Sequence, residues 1–152
     1  MNAITDFLII IFESFGLYSA SNGLGDHLRG LDIKCEEGYI NQSIYNVVFL
    51  CVFTINSLIV INYYRGLFNR VNFTNFLSWL INVLVGALIL FFIAFLYASN
   101  DFSTGNYCED LSITNSDCFG FGITTAIFSI VWSFILSMLI KWTSSNNKKV
   151  PF

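Results

Sequence analysis

Three stretches of the chain run apolar from end to end without a formal charge: residues 44–64, 76–97 and 119–140. Each exceeds the ~18 residues that mark a spanning segment, and as a helix each can cross a hydrocarbon core of ~30 Å. No proline interrupts them; the only one is Pro151. Lipid offers no partner to a free N–H or C=O, so the pattern predicts helix, which pairs those groups internally. Aromatic residues gather near the ends, at Tyr45, Tyr63, Tyr64, Trp79, Tyr97, Phe119 and Trp142, the belt expected at a membrane interface.

A fourth stretch, 4–20, is apolar but broken. Phe7-Leu8-Ile9-Ile10-Ile11-Phe12 meets Glu13, then continues as Ser14-Phe15-Gly16-Leu17-Tyr18. Three readings compete. A signal peptide needs a basic leading region, and Asp6 stands there instead. An interfacial helix would lie on the bilayer rather than cross it. A fourth span would place Glu13 as an intramembrane acid, at a cost of about 2.5–3.5 kcal/mol that neighbouring helices can offset. The span is the expectation adopted here.

Composition strengthens the membrane reading. Charged residues are 11% of the chain and hydrophobic ones 55%, with 17 Phe, 7 Tyr and 3 Trp, and mean hydropathy is +0.67. A soluble domain carries about 25% charged residues. The net charge of −3 hides a segregation. Arg65 and Arg70 lie between the second and third spans, and Lys141, Lys148 and Lys149 follow the fourth, with no acid in either region. The connections 21–43 and 98–118 hold Asp26, Asp32, Glu36, Glu37, Asp101, Glu109, Asp110 and Asp117 against Arg29 and Lys34. The positive-inside rule puts the basic turn and the tail in the cytoplasm. The expected fold is therefore an all-α membrane protein in one domain: a four-transmembrane-helix bundle with two small extracytoplasmic loops and both ends cytoplasmic.

Small and polar residues recur at helical spacing within the spans. Thr125, Ser129, Ser133 and Ser137 fall four apart, as do Ser78, Asn82 and Gly86, resumed at Ala94 and Ala98 after Leu90. Small residues let helix backbones approach in lipid, so both stripes are expected packing surfaces. The bland alternative is simple tolerance of Ser and Thr. Asn46, Asn56, Asn62 and Asn82 need hydrogen-bond partners wherever they face the interior. Glu13, Asn56, Asn82 and the 129–137 hydroxyls would also line a water path in an oligomer, but ordinary polar packing explains the same residues with less.

Of four cysteines, Cys51 lies inside a span and reads as a packed thiol. Cys35, Cys108 and Cys118 fall in the acidic connections, where an oxidising compartment permits a bridge. Cys108–Cys118 is favoured, and either with Cys35 remains open. The single histidine, His27, follows Asp26 after Asn22-Gly23-Leu24-Gly25 and reads as a surface residue on a turn. Asn41-Gln42-Ser43 matches a glycosylation acceptor, which matters only in a eukaryotic secretory setting. Catalytic, metal and cofactor motifs are absent from the sequence, so no enzyme activity, cofactor or metal is expected. The acidic connections would repel nucleic acid.

Two cytoplasmic elements remain, the 65–70 turn and the tail. Arg65, Leu67, Phe68 and Arg70, with Lys148 and Lys149, form the candidate docking surface for a soluble protein. Interfacial anchoring is the bland reading of Leu67, Phe68, Val71 and Phe73. The size, the four-span plan, the minimal cytoplasmic portion and the Asn/Ile/Phe/Ser-rich composition resemble small inner-membrane proteins of bacterial conflict loci, above all the membrane subunit of the Kiwa anti-phage system. The resemblance covers the whole chain as topology and rests on no motif, so it transfers no residue role. It implies a homo-oligomer in the bacterial inner membrane that senses envelope perturbation and works with a soluble cytoplasmic partner. An immunity protein against a pore-forming toxin and an ion-channel or transporter subunit are the alternatives.

Overall fold

The computed structural model describes residues 3–14, 17–18, 23–30, 43–69, 75–105, 107 and 111–150. Residues 31–42 of the first connection expected outside the membrane lie beyond these residues, and with them Cys35 and the 41–42 part of the glycosylation acceptor, as do Arg70 and Cys108. The described residues are helical and include no strand. Five helices follow in order: α1 (Ala3–Ser14), α2 (Leu24–Arg29), α3 (Ile44–Arg65), α4 (Phe76–Thr104) and α5 (Asn115–Ile140), the last extended by a single 3₁₀ turn, Lys141–Thr143.

Three helices, α3, α4 and α5 with its 3₁₀ turn, are long and apolar enough to cross a membrane. Much of their surface is apolar and outward: on α4 alone, Leu77, Ile81, Leu84, Val85, Leu88, Ile89 and Phe92 are exposed. Lipid solvates such a face; water does not. Of the fourth expected span, 4–20, residues 15–16 and 19–20 lie outside the described residues. The described helix α1, Ala3–Ser14, has 12 residues, about 18 Å of rise against a ~30 Å core. Ser14 turns its hydroxyl back onto the Ile11 carbonyl at 2.6 Å, and Leu17 and Tyr18 follow as a bend.

The chain divides into two compact units. The first comprises residues 1–50 and 91–125. Its core is a nest of aromatic rings around the fully buried Phe12, whose centroid lies 5.5–6.4 Å from those of Tyr18, Tyr45, Phe49 and Phe121. Most of these rings meet edge to face, the arrangement their quadrupoles favour. α5 enters the nest at Gly120, where a Cβ would fall 2.0 Å from the Leu17 carbonyl oxygen. α2 fits between two glycines in the left-handed region, Gly23 (φ 90°) and Gly30 (φ 78°). α5 starts with a reciprocal cap: the backbone N–H of Thr114 donates to the Asp117 carboxylate (3.1 Å) and that of Asp117 to the Thr114 hydroxyl (3.3 Å).

The second unit comprises residues 51–90 and 126–152. Val60, Tyr63, Tyr64, Trp79, Val83 and Val150 make its hydrophobic core. The buried face of α4 is Trp79, Val83, Gly86, Ala87 and Leu90, continuing to Ala94 and Ala98. Ser78 and Asn82 are only half-buried. Of the expected stripe, Gly86, Ala94 and Ala98 thus lie on the buried face, while Ser78 and Asn82 sit at its edge. The ten acidic residues all belong to the first unit, which carries a net −8 with Arg29 and Lys34; the second unit has no acid and carries +5.

Candidate functional site

The candidate docking segments, the turn after α3 and the tail after α5, fold against each other. The key residue of the turn is Asn69. Its side-chain carbonyl accepts from the Ser144 hydroxyl (2.9 Å) and the Asn146 backbone N–H (3.2 Å), its amide donates to the Ser145 hydroxyl (3.1 Å), and its backbone carbonyl accepts from the Asn146 amide (3.0 Å). Asn147 is fully buried, and its side-chain amide donates to the carbonyls of Tyr63 (3.0 Å) and Phe68 (3.1 Å). Those carbonyls lie at and beyond the C-terminal end of α3, where helices run out of intrahelical donors. Tyr64 donates from its hydroxyl to the Val150 carbonyl (2.7 Å), and Arg65 from Nε to the Thr143 hydroxyl (3.0 Å). The tail buries every third residue, Lys141, Ser144, Asn147 and Val150. The residues between them face outward.

Among the residues proposed for docking, Arg65, Leu67, Lys148 and Lys149 are exposed, and Phe68 is half-buried against the core. Arg70 lies outside the described residues. Leu67 is 70% exposed and Trp142 71%, and the Lys141 ammonium stands 5.2 Å from the Trp142 ring centroid. Asn69 and Asn147, the residues that close this clasp, were not singled out from sequence. The signal was there in the run Ser144-Ser145-Asn146-Asn147, short polar side chains that satisfy backbone groups in turns.

A second polar constellation runs along α5, and from Ser129 onward it belongs to the same unit. Thr125, Ser129, Ser133 and Ser137 are all fully buried. Ser129 and Ser133 donate to the side-chain oxygen of Asn56, at 3.0 and 2.9 Å, and Trp79 donates from Nε1 to the Ser137 hydroxyl at 3.0 Å. Gly86 lets α4 come close beside them: a Cβ there would meet Ile59 at 2.9 Å and the Asn56 oxygen at 3.4 Å. Thr125 instead donates to the carbonyl of Phe121 on its own helix (2.9 Å). Asn82 likewise spends its amide on the Ser78 carbonyl (2.8 Å) and, with Ser78, Ile81, Val85 and Phe68, lines an apolar groove of about 300 Å³.

In the first unit, Glu13 is held by Arg29 (2.6 Å) and by the Tyr45 hydroxyl (3.2 Å), which in turn lies 2.5 Å from that of Tyr18. A carboxylate with an arginine and a phenol is compensated where it stands. His27 is not a surface residue, as its Gly-rich setting suggested. It is 2% exposed on the buried side of α2, with Nε2 3.4 Å from the Asp101 carboxylate. Cys51 and Cys118 carry free thiols among the described residues, Cys118 buried; the expected bridge partners Cys108 and Cys35 lie outside them. Among the described residues, no three His, Cys, Asp or Glu side chains gather to hold a metal ion. Comparison with family models, curated proteins and solved structures gives no match to this chain.

Proposed function

We propose that this chain is a non-enzymatic, oligomeric membrane subunit that couples to a soluble cytoplasmic protein through the platform made by the α3–α4 turn and the folded tail. The observation that carries this reading is the clasp itself. Hydrogen bonds spanning 75 to 86 residues of sequence fix residues 143–150 onto the turn, so Arg65, Leu67, Lys148 and Lys149 are presented on an ordered surface. A partner that binds preordered groups does not have to order them itself. The positive-inside rule supports a cytoplasmic position for this basic surface. The topological resemblance to the Kiwa membrane subunit supports a bacterial inner-membrane setting and a role as an envelope sensor in anti-phage defence.

Purification of the tagged chain from its native host in mild detergent, with mass spectrometry of what accompanies it, tests the coupling. A soluble protein should co-purify in stoichiometric amount. Its recovery should fall several-fold when Arg65 is replaced by Ala and both Lys148 and Lys149 by Glu. Equal recovery by both forms would remove the platform from the proposal, and a lone homo-oligomer would overturn partner coupling.

A further inference from the structure

The clasp also points beyond a protein partner. We propose that its cations bind the phosphates of anionic phospholipids in the adjoining leaflet, making the platform a preordered lipid-headgroup site.

Position, charge and apolar character converge on this occupant. Arg65 is the last residue of α3, and Lys141, itself buried and marking depth rather than binding, begins the turn that closes α5. Both therefore stand where an apolar run gives way to polar chain, at the depth of headgroups in a spanning helix. The sequence of the unit that contains them holds no Asp or Glu, so it supplies no acidic side chain of its own to pair with these cations. Leu67 and Trp142 stand exposed beside them. Bare lysines in water need no exposed indole next to them. At the boundary between acyl chain and headgroup, an indole and a cation are both solvated, each by its own layer. An acidic segment of a soluble protein would satisfy the charges too, but gives no reason for the exposed indole of Trp142, which lies outside the docking residues.

Order in the tail distinguishes this from a generic basic extension. The every-third-residue burial of Ser144, Asn147 and Val150 sets Lys148 and Lys149 together on the outer side, between two anchored positions. An anion meeting them does not first have to immobilise a floating tail. Each cation near an anionic surface is worth about fivefold in association.

The test uses the full chain, without any partner, in vesicles of phosphatidylcholine containing a minority of phosphatidylglycerol. Spin-labelled forms of the two lipids report which one is motionally restricted by the protein. The expected result is a preference for phosphatidylglycerol that falls several-fold in the double variant Lys148→Gln/Lys149→Gln and collapses at high salt. Neither lysine side chain is buried, so the variant keeps the fold, which its helical circular dichroism verifies. Equal restriction of both lipids overturns the proposal. So does an undiminished preference in the double variant, because the lipid would then be held elsewhere. Loss of lipid preference alongside intact, lysine-dependent capture of an acidic soluble protein assigns the cations to that protein instead, leaving the proposed function standing while this inference falls.

Discussion

Asn56 is satisfied at one end only: its side-chain oxygen is paired, while its buried amide nitrogen has no hydrogen-bond partner among the described residues. One amide oxygen on α3 accepts two hydroxyls from successive turns of α5, next to the only residue type that lets α4 come as close, Gly86. Hydrogen bonds between membrane helices average ~0.6 kcal/mol each. Asn56→Ala should therefore destabilise the chain by about 1–2 kcal/mol once the small cavity is counted, read as a lowered unfolding midpoint in detergent. Asn82→Ala removes an amide that bonds only within its own helix, and the same measurement should show a much smaller shift. Equal shifts would contradict the distinction between these two asparagines. Gly120 makes an opposite demand. Gly120→Ala would drive a methyl into the Leu17 carbonyl, 2.0 Å from its own position. Backbone has to move there, and the cost should be about 1–3 kcal/mol.

At the scale of elements, the uncharged runs of the sequence became α3, α4 and α5 because nothing inside them opposes helix. Their ends were harder to read. α4 continues past Tyr97 through Ser99, Asn100 and Asp101 to Thr104, since polar residues end an apolar run without ending a helix. α1 was legible as apolar, but the ion pair of Glu13 was not. What draws Glu13 aside is Arg29 and Tyr45, 16 and 32 residues further along the chain, and no local pattern announces a partner that distant. The hydroxyl stripe of α5 is buried along its length, whereas on α4 Gly86, Ala94 and Ala98 are buried and Ser78 and Asn82 only half so, a split that spacing does not announce. The tail read as loop because Ser and Asn usually mean loop; its bonds to Asn69 depend on a turn more than seventy residues earlier. The cap of α5 is a local feature open to direct test. Asp117→Ala removes the acceptor for the Thr114 N–H and hydroxyl and should cost about 1 kcal/mol, with fraying of the first turn visible as faster amide exchange at residues 115–118.

For the whole molecule, charge and span count together make a prediction about sidedness. Every acid belongs to one unit and five of seven basic residues to the other. The positive-inside rule predicts a cytoplasmic tail, and the sidedness of Asp6 decides whether the first apolar segment, of which α1 is the described part, crosses. In a form with Cys35 and Cys108 replaced by Ser, a cysteine at exposed Asp6 should react with a membrane-impermeant maleimide on intact cells if only the three long helices cross. One at Lys149 should react only after permeabilisation. Protection of both positions would mean the four-span plan with both ends inside.

The clasp has a consequence for how this chain is made. The acceptors on the turn, the carbonyls of Tyr63 and Phe68 and the two oxygens of Asn69, leave the ribosome before α4 and α5 exist, and their donors at Ser144, Asn146 and Asn147 come after both helices. Two membrane segments must be inserted while the turn waits with its polar groups served by water. That end of the protein is therefore closed by late-made residues, and a chain interrupted after α5 would carry its spans but not its finished surface. Such a product would insert, persist as an open form, and offer proteases the very carbonyls that the completed tail covers.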